Sequence, residues 1–184
     1  MQSFKFEKLQ FDGLYLISPF LAEDNRGYFL KNYEKEVFEK AGIDTDVFEA
    51  FESLSVKGVV RGLHFQTDNP QSKIVRCITG RIYDVVVDIR KDSPTFGKWA
   101  GVYLDDVSKQ SVFIPKGFAH GFITLSDNAI SSYICSGKYS KGTDTGVVWN
   151  DSDIGIDWPM EGIDNIIISE RDSQLQSFKA YCGE

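Results

Sequence analysis

Residues 60–90 read V-R-G-L-H-F-Q-T-D-N-P-Q-S-K-I-V-R-C-I-T-G-R-I-Y-D-V-V-V-D-I-R. Three apolar-alternating segments here carry Arg61, His64, Lys73, Arg76, Asp84 and Asp88. Buried strand positions normally hold Val, Ile or Phe, because an unpaired charge there is costly. So many ionisable groups on strands mean a polar-lined pocket or a solvated sheet face, and the stretch alone does not choose. Period-two alternation groups Tyr83, Val85, Val87 and Ile89 on one face, and Ile82, Asp84, Val86, Asp88 and Arg90 on the other. The same rule groups Gly62, His64 and Gln66.

Working outward, short apolar runs separated by turn residues predict strands at 13–19, 28–30, 59–66, 73–79, 81–89, 99–104, 111–114, 121–125 and 131–136. Asp24-Asn25-Arg26-Gly27 and Pro115-Lys116-Gly117 are turn signals, and Gly80 predicts a hairpin turn. Residues 33–41 form the one convincing helix, stopped by Gly42. The tail, residues 166–181, predicts a short strand and then a helix from Ser173. Strands at this spacing, with no repeat, linker or low-complexity segment, predict one all-β barrel or sandwich domain over residues 1–184. The mouth of such a barrel commonly holds a ligand.

Composition narrows the function. A chain of 184 residues, 42% hydrophobic and 14% aromatic, can bury a real core and is not disordered. The formal net charge of −7 argues against a nucleic-acid or anionic-membrane surface. No segment approaches the ~20 apolar residues of a membrane span, and the N-terminus shows no signal peptide, so a cytoplasmic protein is expected. Cys77, Cys135 and Cys182 are widely spaced and read as reduced thiols.

His64 and His120 are the only histidines. Each, taken alone, reads equally as a satisfied core histidine. With no H-x-H and no H-x-x-x-H, a zinc or iron site is poorly supported, and no metal or other cofactor is expected. A G-x-S-x-G elbow is also missing. General acid–base work by histidine remains, needing a carboxylate to orient the ring. Several Asp residues are candidates, and the residues themselves do not choose among them.

Longer motifs resemble a known family. R-G-L-H-F-Q, S-K-I-V-R, the run G-R-I-Y-D-V-V-V-D-I-R-K-D-S-P-T-F-G-K-W, I-P-K-G-F-A-H-G-F, V-V-W-N-D-S-D-I-G-I-D-W-P and I-S-E-R-D are similar to the dTDP-4-dehydrorhamnose 3,5-epimerase family, from about residue 13 to residue 172. The resemblance implies a cupin-type jelly-roll β-barrel with a few short flanking helices, a homodimer formed through its sheets, and no metal. Its substrate would be a nucleotide-linked 4-keto-6-deoxy sugar. The ketone acidifies the neighbouring C–H groups, a base removes one, and the enolate is reprotonated on the opposite ring face. By resemblance His64 is the base, Asp172 orients it, Lys73 holds the keto oxygen and Tyr133 is the acid. Arg61 would contact the diphosphate, Arg26 and His120 match ligand-contacting positions, and Phe29 and Tyr139 would stack the nucleotide base. Asp84 is a candidate to orient His120.

The chain departs from the family pattern beside the nucleotide. R-G-F-F-x-E becomes Arg26-Gly27-Tyr28-Phe29-Leu30-Lys31, and Q-D-N-x-S-x-S becomes Glu49-Ala50-Phe51-Glu52-Ser53-Leu54-Ser55. Lys31, Glu49 and Phe51 thus replace an acid and two amides, which predicts a changed nucleotide preference or a single epimerised carbon. The plainer account is a compensating Lys31–Glu49 ion pair. Three rivals stand beside the epimerase: a 3-only or 5-only enzyme on a CDP- or other NDP-linked sugar, a metal-dependent cupin dioxygenase, and a non-catalytic sugar-binding barrel.

Overall fold

Two antiparallel sheets face each other and enclose the core. A computed structural model describes residues 3–44 and 46–183. The strands are β1 Lys5–Lys8, β2 Tyr15–Ser18, β3 Phe20–Asp24, β4 Gly27–Lys31, β5 Val47–Val56, β6 Val60–Gln66, β7 Ser72–Thr79 and β8 Arg81–Asp88. They continue as β9 Trp99–Asp105, β10 Ser111–Ile114, β11 Phe118–Thr124, β12 Asn128–Ser136 and β13 Asp144–Gly146. One sheet runs β1-β2-β10-β7-β12-β5 and the other β13-β6-β11-β8-β9, while β3 and β4 form a separate hairpin. From β6 to β13 the chain crosses repeatedly between the sheets, as in a jelly roll.

That crossing corrects one expectation. Gly80 does turn, with φ +79°, but β7 and β8 lie in different sheets, so it is a corner and not a hairpin. A side chain there would collide with the Asn128 carbonyl. The Gly80 N–H is held by Asp106 Oδ2 at 2.8 Å.

Alternation decides what each face does. Val75, Cys77, Ile82, Val86, Phe118, Phe122 and Tyr133 meet between the sheets. On the outside of the second sheet, Val60, Leu63, Phe65, Val85 and Val87 pack beneath Trp158. Helix α1, Lys35–Lys40, seats Phe38 on the outside of the first sheet, against Ile17, Ile74 and Phe113. Burying such a phenylalanine contributes roughly 2–3 kcal/mol. The β8 face expected to carry Ile82, Asp84, Val86 and Asp88 points between the sheets, and its two aspartates split by role. Asp88, fully buried, accepts from Arg90, Ser93 and Thr95 and fixes the loop that follows. Asp84 is buried and pairs with His120.

The tail departs from the single helix expected from Ser173. Helix α2, Glu170–Ser173, ends there, and α3, Phe178–Cys182, starts later. Ser169 and Ser177 each cap a short turn by accepting from the N–H three residues on. The strand expected near residue 166 is an isolated bridge, Val59 to Ile167. Among the described residues, Cys77, Cys135 and Cys182 form no disulfide. Among the described residues, no helix is long and apolar enough to cross a membrane.

Candidate active site

A β-bulge builds the site. On β11, His120 pairs with His64 and Phe122 pairs with Arg61. Two steps on β11 therefore match three on β6, which puts Arg61 and His64 on the same face. Strict alternation, which placed Gly62 beside His64, fails at this extra residue. Glycine is required there: a Cβ on Gly62, at φ +125°, would lie 2.5 Å from the Gly121 Cα.

The bulge opens into a cavity of about 200 Å³ lined by Phe51, Ser53, Arg61, His64, Lys73, His120, Phe122 and Tyr133. Strands β6 and β11 of one sheet supply Arg61, His64, His120 and Phe122. Strands β5, β7 and β12 of the other supply Phe51, Ser53, Lys73 and Tyr133. Histidine and tyrosine thus reach the cavity from opposite walls.

His64 Nε2 lies 2.8 Å from Asp172 Oδ1. Helix α2 delivers this aspartate, and its Oδ2 accepts the Gly62 N–H at 3.1 Å. Burial would raise the Asp172 carboxyl, but the His64 and Gly62 hydrogen bonds outweigh it and hold it below the usual carboxylate range. An ionised Asp172 only accepts, so Nε2 carries the proton and Nδ1 keeps a free lone pair. A second pair mirrors the first, with His120 Nε2 2.8 Å from Asp84 Oδ2.

Among the described residues Lys73 forms no ion pair, and its neighbours act on it only through charge. Burial pushes its ammonium below the ordinary lysine value, opposed by Cys135, Asp144, Asp84 and Glu49. Burial, reinforced by the Asp84 charge, pushes the Tyr133 phenol well above its ordinary value. Its hydroxyl therefore keeps its proton, as an acid must. Arg61 is steadied by Ser55 Oγ, which accepts from Nε at 3.0 Å.

The remaining expected residues lie elsewhere. Tyr139 is exposed, and its hydroxyl donates to Asp144, which Arg171 also binds. Glu49 accepts from Gln71 at 3.0 Å, and Lys31 pairs with Glu34 at 2.7 Å, so the compensating Lys31–Glu49 pair does not form. The reason is local: Lys31 ends β4 and meets the acid three residues on. Arg26, tied to Asp24, and Phe29 sit on the exposed β3–β4 hairpin, outside the cavity. Phe51, expected beside the nucleotide, is the exception: it lines the cavity and stacks on Tyr133. Ser53 and Phe122 went unrecognised. Alternation through Phe51 and through His120 would have found both.

Comparisons with known proteins agree on one family. The family model for dTDP-4-dehydrorhamnose 3,5-epimerase matches residues 8–180. The Methanothermobacter thermautotrophicus dTDP-4-dehydrorhamnose 3,5-epimerase is 48% identical over 172 residues, covering 94% of this chain and 93% of that protein. The crystal structure of the Elizabethkingia anophelis NUHP1 dTDP-4-dehydrorhamnose 3,5-epimerase superposes with TM-score 0.90 at 41% identity, covering 96% and 97% of the two chains. The Legionella pneumophila Philadelphia 1 dTDP-6-deoxy-D-glucose-3,5-epimerase, crystallised with dTDP-4-keto-L-rhamnose, gives 0.92 at 36%, covering 96% and 94%. With its jelly-roll barrel of the cupin type, this chain belongs to the dTDP-4-dehydrorhamnose 3,5-epimerase family and is an isomerase of nucleotide-linked 4-keto-6-deoxy sugars.

Proposed function

We propose that the cavity epimerises a dTDP-linked 4-keto-6-deoxy sugar beside its ketone, with His64 as base and Tyr133 as acid. The observation that carries this is the His64–Asp172 pair opening onto the cavity from one sheet, with Lys73 and Tyr133 on the other. Nδ1 of His64 takes the proton on a carbon next to the ketone. The C–H electron pair becomes the enolate double bond, and negative charge moves to the keto oxygen. The Lys73 ammonium faces that charge and stabilises it. Tyr133 then donates its proton to the opposite face, and the configuration inverts. The phenolate is reprotonated from solvent, and His64 gives up its proton there.

Arg61 suits the diphosphate, since a guanidinium fork matches phosphate oxygens. His120, held by Asp84, is a ligand contact. Arg26, Phe29 and Lys31 reach a ligand only if a second copy presents its β3–β4 hairpin, so the functional unit we propose is a homodimer. Exposed Val47, Phe48, Leu54 and Val56 on the edge strand β5 support this reading. So does Arg76 on the outer face of the same sheet, 8% exposed with its Nε buried and unpartnered among the described residues. A cytoplasmic location accords with the chemistry of the substrate.

Glu49 and Phe51 favour a second reading, with weaker thymidine selectivity or inversion at one carbon. Glu49 carries a carboxylate where an amide both donates and accepts, and that suits bases offering N–H groups. The test is solvent-deuterium incorporation with dTDP-, CDP-, GDP- and UDP-linked 4-keto-6-deoxy sugars. Incorporation at both carbons with the dTDP sugar is expected. Absence of incorporation with every sugar overturns the epimerase assignment, and restoration of activity by an added metal after chelation points to the dioxygenase.

A further inference from the structure

We propose that Phe51 is a positioning residue that holds the Tyr133 phenol on target and so decides whether proton exchange becomes inversion. This rests on Tyr133 as the acid. The two rings are direct cross-strand partners on β5 and β12, with centroids 4.7 Å apart and planes 15° from parallel. Tyr133 is buried, yet no hydrogen bond to its hydroxyl is formed among the described residues. Ser53 Oγ lies close enough to favour the phenolate slightly, but it has no hydrogen-bond partner of its own. The ring is therefore aimed mainly by packing, with Ser53 as a polar neighbour of its hydroxyl. His120 touches it only edge-on, at 6.2 Å and 70°. Phe51 supplies the one parallel face, and the ring cannot swing toward β5 without displacing it.

Phe51 is also unlike a core residue. It is 47% exposed, sits on an edge strand, and lines both the catalytic cavity and the hollow outside the sheet. A core phenylalanine would stabilise the fold. This one contributes little burial and spends its contact on a single catalytic side chain. Abstraction by His64 comes from the opposite wall and does not involve the stack. Delivery from Tyr133 does. An enolate facing a misaimed phenol takes its proton back on the face it lost it from, which washes deuterium in without inverting the carbon.

The measurement is the ratio of inverted product to deuterium wash-in for the parent, Phe51→Ala, Phe51→Tyr, Tyr133→Phe and the double variant Phe51→Ala/Tyr133→Phe. Phe51→Ala should lower the ratio about three- to tenfold, the range a stacked aromatic pair contributes. Phe51→Tyr, which keeps the ring, should restore it. In the Tyr133→Phe background, Phe51→Ala should change the ratio no further, because Phe51 acts through the phenol. A lowered ratio in Tyr133→Phe with a parental ratio in Phe51→Ala overturns the positioning role and leaves Tyr133 as the acid. A parental ratio in Tyr133→Phe itself removes the acid, and this inference with it. Equal losses in Phe51→Ala and Phe51→Tyr also overturn it, since the ring would then not be the operating element.

Discussion

Two His–Asp pairs sit side by side on β6 and β11, with His64 and His120 opposite one another in the register. Their histidine–aspartate distances are equal, at 2.8 Å, and their surroundings are not. The His64 side chain is 27% exposed and the His120 side chain 6%. Asp172 uses both oxygens, one on His64 and one on the Gly62 N–H. Asp84 uses one, and its Oδ1 is buried with no hydrogen-bond partner. An open ring over a saturated carboxylate can take a proton from a ligand and release it to water. A sealed ring over a half-satisfied carboxylate is largely shut off from solvent, which suits a fixed contact in the cavity wall. The same residue pair thus has two uses, set by exposure and by the spare oxygen.

The strongest way to break this contrast is His64→Ala. Inversion and deuterium wash-in should both fall about 10³-fold or more, within the range general-base catalysis contributes, with the fold intact by circular dichroism. Undiminished wash-in would transfer the base role, and His120 would be the next to test. Tyr133→Phe should lower inversion about 100-fold while wash-in persists, because only delivery to the far face is lost. Inversion at the parent rate would mean that another group is the acid.

Asp172→Asn should lower turnover about 100-fold, because the ring loses its ionised orienting partner and is free to take the wrong tautomer. It should also flatten the acid limb of stability. The Asp172 carboxyl is held below its ordinary value, so its pairing stabilises the fold above about pH 4 and is lost as pH falls through the folded value. Thermal midpoints measured from neutral to acid pH check this. An acid limb unchanged in Asp172→Asn contradicts the linkage. Asp84→Asn sharpens the comparison from the other side. Turnover should fall only about tenfold, with a stability loss of roughly 1–3 kcal/mol from the disturbed buried pair. Equal damage from the two Asn variants, read as kcat, would erase the distinction.

Much of this was legible in the chain. Period-two reading put Asp84 and Asp88 on one face of β8, because regular strands obey it. It could not separate them, since only neighbours on the next loop make Asp88 structural and leave Asp84 to His120. It failed for Arg61 because a bulge is a local extra residue with no distinct spelling beyond a glycine. It read Gly80 as a hairpin because a corner between sheets uses the same turn chemistry. The aspartate serving His64 lies 108 positions away, and alternation carries no information at that range. The motif resemblance supplied it. The resemblance also supplied Arg26 and Phe29, which the barrel of a single chain leaves outside its own cavity.

The bulge at Gly62 behaves like a phase slip in a wave. Upstream and downstream of it the strand keeps period two, but the two halves are out of step by one residue. That is why Val60 and Leu63, three apart, share the outer apolar cluster while Arg61 and His64, also three apart, share the cavity. Deleting Gly62 would bring the two halves back into step: Arg61 would precede Leu63 directly, and every side chain of the strand would keep its present face. The loss would fall elsewhere, on the backbone N–H that Asp172 accepts beside His64, so one residue with no side chain would cost the histidine part of its partner's anchorage.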